Sequence, residues 1–191
     1  DQRSPASRRR MMKFYKECVR RQLYINGSER IHLSKNPTYC GRVEALIETF
    51  PDARFVVLYR NPYETIPSLL KLLNVGWKLQ GNLSRERVRE SNEVMTGLSY
   101  ETYLHPREVL ARHPETPHAI IDYRRLTTDP KGCIEDVYRD LGLDITPAYA
   151  AFLEAEAART RRHETEHRYS LAEFGLDDQD IRRRLAPLFE E

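Results

Sequence analysis

The sequence of 191 residues contains few cysteines and no long hydrophobic run. Its three cysteines, Cys18, Cys40 and Cys133, are odd in number and widely spaced, which argues against a disulfide framework or a zinc ribbon. We therefore expect reduced, buried thiols, with a single disulfide left open for a secretory protein. No stretch approaches the roughly 18 consecutive apolar residues of a membrane-spanning helix, so no membrane anchor is visible in the sequence.

An excess of charge of one sign is also lacking. The 31 lysines and arginines are nearly balanced by 29 aspartates and glutamates, which leaves a formal net charge of +2. This balance gives no reason to expect a nucleic-acid partner, so any basic site must arise from local placement of side chains. The length fits one domain, residues 1–191, with a hydrophobic core.

The first half of the chain shows alternating helix and strand patterns. Apolar residues recur at helical spacing over residues 7–26, which predicts a leading helix. Residues 31–75 are predicted to form a βαβα core, with strands at the apolar runs 31–34 and 55–59. The second run has no polar member, which favours a strand buried on both faces of a parallel sheet.

The second half begins with a polar, variable region at residues 84–113. This region is predicted to form a long helix, or a pair of helices interrupted at Pro106. Residues 118–191 are expected to supply a third strand followed by helices. Asp129 is a predicted N-cap with Pro130 at the first helical position.

A basic residue followed by Asn-Pro stands at the end of each of the first two predicted strands. These basic residues are Lys35 and Arg60. If the strands are parallel neighbours, both side chains emerge at the carboxyl edge of the sheet, where open α/β sheets bind ligands. Each turn also leads into a helix, whose N-terminus attracts anions. The pattern predicts a multiply charged anionic ligand.

Two further groups extend this predicted site. A parallel third strand would deliver Tyr123, Arg124 and Arg125 to the same edge of the sheet. Ser68 lies seven residues after Asn61, two helical turns further on and on the same face, where its hydroxyl can reach a ligand held at that edge.

These residues resemble the core of the PAPS-dependent sulfotransferases, where PAPS is 3′-phosphoadenosine-5′-phosphosulfate. The resemblance is closest to the tyrosylprotein-type and related Golgi or bacterial branches. It implies an α/β fold with a P-loop-kinase-like parallel sheet flanked by helices. The segments that carry it are residues 35–37, 50–55, 60–62 and Ser68.

The resemblance also implies roles for individual residues. Arg60 and Ser68 would bind the 3′-phosphate of PAPS, and Tyr123 would contact the adenine. Lys35 would stabilise charge on the leaving group. The implied reaction is in-line transfer of a sulfuryl group from PAPS to the hydroxyl of a carbohydrate, a protein tyrosine or a small molecule, with PAP as the product and no metal.

One departure from the family pattern concerns the start of the chain. The family carries a glycine- and serine/threonine-containing loop that binds the 5′-phosphosulfate, and no Gly-rich loop precedes Lys35. The general base of the tyrosylprotein-type members also lies upstream of that lysine. We therefore expect the fold to be incomplete at the N-terminus and the chain to be inactive as it stands. The compartment stays open: cytoplasmic for a bacterial protein, the Golgi lumen for a eukaryotic one.

Three alternatives compete with this interpretation. The chain could bind PAPS or PAP without catalysing transfer. Residues 163–167 match the HExxH pattern of zinc hydrolases, but cationic flanks and the lack of an obvious third ligand argue against a metal. A nucleotide kinase would need a Walker lysine loop, which the sequence does not contain.

Overall fold

The computed structural model describes residues 4–81, 83–160 and 170–189. The HExxH pattern at 163–167 lies outside them. A short 3-10 helix, Pro37–Arg42, leads directly into the second α-helix. In chain order the elements are α1 (Pro5–Asn26), α2 (Val43–Thr49), β1 (Phe55–Tyr59), α3 (Pro62–Gln80), α4 (Arg85–Arg112), β2 (His118–Asp122), α5 (Tyr123–Thr128), α6 (Pro130–Asp140), α7 (Pro147–Thr160) and α8 (Asp178–Arg184).

The sheet of the described residues has two parallel strands, β1 and β2. Phe55 lies opposite His118, and the register continues to Tyr59 opposite Asp122. The predicted parallel arrangement of these two strands is therefore confirmed. Because the strands are parallel and in register, the residues that follow them leave the sheet side by side at its carboxyl edge.

The strand predicted at residues 31–34 is wrong. The chain is not assigned to any helix or strand there, and Ile31 and Leu33 are 72% and 90% exposed. A strand needs main-chain hydrogen bonds to a neighbouring strand. The described sheet consists of β1 and β2, which bond to each other, and residues 31–34 are not part of it. The segment instead contacts α1 through its side chains, with 3.0 Å between Ser34 Oγ and Tyr15 Oη.

Helices pack on both faces of the sheet. Phe55 and Val57 of β1 contact the buried side chains of α2 and α4. Ala119 and Ile121 of β2 belong to the opposite set of alternating positions and pack on α6 around Cys133. This three-layer arrangement is the one expected of an α/β domain.

The burial predicted for β1 is only partly correct. Val56 and Leu58 are each 48% exposed. They share a face with Ala119 and Ile121, but the α6 cluster on that face covers β2 and not β1. A purely apolar run therefore forms a strand here without being buried on both faces.

The middle region forms one helix and not an interrupted pair. α4 runs from Arg85 to Arg112 through Pro106, which is fully buried. A proline removes one main-chain hydrogen bond within a helix. Burial of the neighbouring Tyr103, Val109 and Leu110 keeps the helix continuous, because packing outweighs the lost bond.

Two other local predictions, the leading helix and the Asp129 cap, are confirmed. The leading helix appears as α1, and the Asp129 side chain caps α6 by accepting a hydrogen bond of 3.1 Å from the Gly132 amide. The three cysteines are free thiols, but the expected burial is found only for Cys133, because Cys18 and Cys40 are partly exposed. None of the helices within the described ranges is both long enough and apolar enough to cross a bilayer.

Candidate anion-binding site

The turn after β1 places Arg60 at the carboxyl edge of the sheet. Asn61 caps α3, because its side-chain oxygen accepts a hydrogen bond of 3.0 Å from the Tyr63 amide. Pro62 is the first residue of the helix, a position where its missing N–H costs nothing. The helix is 19 residues long and continues through Pro67. Its N-terminus therefore lies directly beside Arg60, as the sequence predicts.

Two groups hold the guanidinium of Arg60. Its Cζ lies 4.8 Å from the centre of the Tyr123 ring, in a cation–π contact. Its Nε and Nη2 donate to Glu64 Oε2 at 3.2 and 3.0 Å. The Arg60 side chain is still 37% exposed, which leaves part of this cation accessible to an anion.

The main chain of Arg60 is fixed by a buried tyrosine of α4. The Tyr103 hydroxyl donates to the Arg60 carbonyl oxygen at 2.7 Å and is hydrogen-bonded to the Thr65 hydroxyl. The Tyr59 hydroxyl donates to the Tyr103 carbonyl oxygen at 2.7 Å, and the two rings stack with 5.7 Å between their centres. Burial raises the pKa of Tyr103, so its hydroxyl stays protonated and keeps donating at neutral pH.

Tyr123 reaches the same edge from β2. It begins α5, which Asp122 caps by accepting a hydrogen bond of 2.7 Å from the Arg124 amide. Arg60 and Tyr123 thus follow the paired residues Tyr59 and Asp122. The prediction that a parallel strand delivers Tyr123 to the Arg60 edge is confirmed.

Arg125 follows Tyr123 but its side chain is directed elsewhere. It forms an ion pair with Asp136 of α6, which also pairs with Arg139. Hydrogen bonds from these two arginines hold the pKa of Asp136 below its usual value. The expectation that Arg125 adds to the cationic edge is therefore wrong: its charge is used to join α5 to α6.

Ser68 and Lys35 stand apart from the Arg60–Tyr123 pair. Ser68 is partly buried on α3, about 10 Å along the helix axis from Asn61. Lys35 is exposed and directly precedes Asn36, which caps the 3-10 helix. Among the described residues, no hydrogen bond, ion pair or ring contact joins Ser68 or Lys35 to Arg60. Their roles stay predictions.

Glu64 and Tyr103 contact Arg60 but were not singled out by the sequence patterns. Glu64 lies four residues after Arg60, a spacing that favours ion pairs on helices and could have been recognised. Tyr103 lies 43 residues away, in a long helix whose placement no local pattern specifies.

Comparison with known proteins identifies the family. Residues 2–147 match the model of a family described as the sulfotransferase family. Over 122 residues the chain is 28% identical to the omega-hydroxy-beta-dihydromenaquinone-9 sulfotransferases Stf3 of Mycobacterium bovis and Mycobacterium tuberculosis. The aligned part covers 64% of this chain and 31% of each relative, so the chain spans about a third of the length of these relatives.

A solved structure shares the fold. The crystal structure of sulfotransferase STF9 from Mycobacterium avium matches with a TM-score of 0.66 and 21% identity, covering 82% of this chain and 40% of that one. The α/β fold class expected from the sequence is confirmed, although the described part is mostly helical with a small parallel sheet. The family model matches about three quarters of this chain, and the chain therefore belongs to the sulfotransferase family.

Proposed function

We propose that this chain is part of an enzyme that transfers a sulfuryl group from PAPS to a hydroxyl group. The family generally uses this donor. The observation that carries the proposal for this chain is the pair formed by Arg60 and Tyr123 at the carboxyl ends of two parallel strands, beside the N-terminus of α3. A phosphate binds well where a guanidinium and a helix N-terminus meet.

In this proposal Arg60 binds the 3′-phosphate of PAPS, and the Ser68 hydroxyl donates to the same group. Tyr123 and Glu64 hold the guanidinium on two sides, so little side-chain entropy is lost on binding. Because the Tyr123 ring contacts Arg60, it supports phosphate binding in addition to any contact with the adenine.

The proposed chemical step is an in-line displacement at sulfur. A bond forms between the acceptor oxygen and sulfur, the bond from sulfur to the bridging oxygen breaks, and PAP leaves with the electron pair. Lys35 would neutralise the negative charge that develops on the bridging oxygen, the kind of electrostatic stabilisation that often dominates such reactions. The acceptor proton passes to a base for which this chain offers no assigned residue.

The acceptor carries a hydroxyl group. The names of the two mycobacterial relatives describe an omega-hydroxy menaquinone derivative as the acceptor of those proteins. For this chain a carbohydrate, a protein tyrosine and a small molecule are all candidate acceptors.

Calorimetric titration with PAP tests the cofactor site directly. Arg60→Ala should weaken PAP binding roughly thirtyfold, the equivalent of about 2 kcal/mol for lost hydrogen bonds to a charged group. Arg21→Ala, an exposed arginine of α1, is the matched control and should bind PAP as the wild type does. Equal affinities for the Arg60 variant and the wild type would refute the proposed site.

A second candidate function is PAPS or PAP binding without transfer. The exposed position of Lys35, joined by no contact in the described part of the chain to Arg60, favours it. Incubation of a protein that also carries the 5′-phosphosulfate loop with sulfur-labelled PAPS and a panel of hydroxyl acceptors separates the two. Labelled product that depends on Lys35 supports the enzyme, and tight PAP binding without product supports the binding module.

A further inference from the structure

The positive charge of the chain is concentrated in α1. This helix of 22 residues contains seven lysines and arginines and one acidic residue, Glu17. Its net charge exceeds the +2 of the whole chain, so the remaining residues together are net negative. A charge distributed this unevenly indicates a local contact with an anionic partner, although the overall balance gives no such indication.

The inner face of α1 is covered by protein, and its outer face is not. Met12 and Val19 are buried, and Met12 packs on Ala45 and Leu46 of α2. The exposed positions recur at spacings of four, seven and four residues, which places each set on one stripe of the helix surface. One stripe consists of Arg9, Lys13, Arg20 and Tyr24, and the other of Arg10, Phe14, Arg21 and Ile25.

The cations of these two stripes are accessible to a partner. Among the described residues, the one ion pair of α1 joins Arg20 to Glu17 at 3.1 Å, and the Arg20 side chain is still 67% exposed. A groove of about 460 Å³ between α1 and α2 extends the cationic surface. Of the described residues that line this groove, four are lysines or arginines of α1 and one, Glu48, is acidic.

Large apolar side chains are exposed among these cations. Phe14, Tyr24 and Ile25 are 69%, 88% and 75% exposed. The segment that follows α1 adds Ile31 and Leu33, which are also largely exposed. Isolated apolar residues on a surface need no explanation, but several within one stretch, here residues 14–33, mark an interaction surface.

An anionic lipid surface fits this combination better than other partners do. The stripes lie on the convex surface of one helix, which offers no pocket for the anchor residues of a protein partner. Nucleic acid would pair with the arginines through its phosphates but would leave aliphatic side chains such as Ile25 in water. A second copy of the chain would bring two positive faces together. At a bilayer interface, cations pair with lipid phosphates while apolar side chains enter the layer beneath.

We propose that the outer face of α1 docks the chain on a membrane surface that contains anionic lipids. The helix lies in the plane of the interface, with its arginines and lysines at the headgroups and Phe14 and Ile25 below them. The inference goes beyond the proposed function and does not depend on it, because binding to a lipid surface requires no PAP.

Co-sedimentation of the 191-residue chain with lipid vesicles tests the proposal. We expect binding to vesicles of phosphatidylcholine mixed with phosphatidylglycerol, weakened by added salt, and none to phosphatidylcholine alone. Combining Arg10→Gln with Arg21→Gln should weaken binding about twentyfold, since each cation near an anionic surface contributes a factor of about five. Combining Arg85→Gln with Arg87→Gln, at two exposed arginines of α4, is the matched control and should leave binding unchanged.

Insertion of the apolar side chains is measured separately. Emission from the Phe14→Trp variant should shift to shorter wavelength on anionic vesicles, whereas that of the wild type, from Trp77 of α3, should not. Phe14→Ser should weaken vesicle binding about fivefold. Phe152→Ser, at a phenylalanine of α7 that is 55% exposed, is its control and should bind as the wild type does. Thermal denaturation checks that these surface variants remain folded.

Several results overturn the proposal. Equal binding to neutral and anionic vesicles, or binding that survives the paired change of Arg10 and Arg21, would show that α1 is not the docking face. Stronger retention by duplex DNA than by anionic vesicles would identify a nucleic-acid surface instead. An unshifted spectrum of the Phe14→Trp variant would contradict insertion. Titration with PAP measures the proposed function independently, so a chain that binds PAP but no vesicles refutes the membrane surface alone.

Discussion

Replacing Tyr123 by leucine should weaken PAP binding by acting through Arg60. The ring of Tyr123 lies 4.8 Å from Arg60 Cζ, and the Arg60 side chain is 37% exposed. A cation–π contact of this partly desolvated kind contributes about 1 kcal/mol. The expected change is therefore about fivefold in the dissociation constant of PAP. Tyr123→Phe keeps the ring and should bind PAP nearly as the wild type does.

The choice of ligand distinguishes two roles for Tyr123. If the ring positions Arg60, Tyr123→Leu should weaken binding of PAP but not of adenosine 5′-phosphate, which lacks the 3′-phosphate. If the ring mainly contacts the adenine, both nucleotides should bind more weakly by the same factor. Calorimetry with both nucleotides measures the difference, and equal losses would refute the positioning role.

A double-mutant cycle gives an independent measure of the same contact. The Arg60→Ala and Tyr123→Leu changes should be non-additive, with a coupling free energy of about 1 kcal/mol in PAP binding. The two residues touch, so additive effects would mean that the ring contact seen here contributes nothing to phosphate binding.

Three further predictions follow from the described contacts. In a protein that also carries the 5′-phosphosulfate loop, Lys35→Ala should lower the rate of sulfuryl transfer at least about a hundredfold while changing PAP affinity little, because its charge acts on the leaving group. Tyr103→Phe should lower the free energy of unfolding by about 1–2 kcal/mol in urea titrations, since it leaves the Arg60 carbonyl oxygen without its donor. Asp136→Asn should reduce the acid sensitivity of folding. The Arg125 pair depresses the Asp136 pKa below 3.8, so its stabilisation is complete above that pH and is lost as the pH falls through the folded-state pKa.

Matched controls accompany these predictions. Lys78→Ala, an exposed lysine on α3, should leave the transfer rate unchanged, and Tyr24→Phe, at a tyrosine that is 88% exposed, should leave stability unchanged. A Lys35 variant that turns over at the wild-type rate would remove that lysine from the mechanism. Identical acid unfolding of wild type and Asp136→Asn would show that the Arg125 pair adds nothing to stability.

Much of the fold is predictable from the sequence because its signals are local. Helical periodicity predicts α1, and the Asp129-Pro130 cap predicts the start of α6. The apolar runs predict β1 and β2, and the Arg60-Asn61-Pro62 turn predicts the start of α3. Each of these depends on residues within one or two turns of one another.

The features that could not be predicted depend on distant partners. The continuity of α4 through Pro106 depends on the burial around it, which no spacing within the helix reveals. Arg125 is drawn to Asp136 on another helix and away from the site. Tyr103 joins the site only because α4 packs against α3, so its role emerges from the tertiary structure.

The two Asn-Pro turns show the same division within one motif. Asn36 and Asn61 each accept a hydrogen bond of 3.0 Å from the amide two residues later, and each starts a helix with the proline at its first position. The cap forms in both places because all of its atoms lie in three successive residues. The strand before Asn61 is present because β2 supplies its hydrogen bonds, whereas the residues before Asn36 have no such neighbour in the described part of the chain. The position of the Arg60 side chain depends on the pairing of β1 with β2. The position predicted for the Lys35 side chain depends on a strand pairing that residues 31–34 do not form. Arg60 is therefore held by defined partners, Tyr123 and Glu64, whereas the proposed role of Lys35 needs a kinetic measurement.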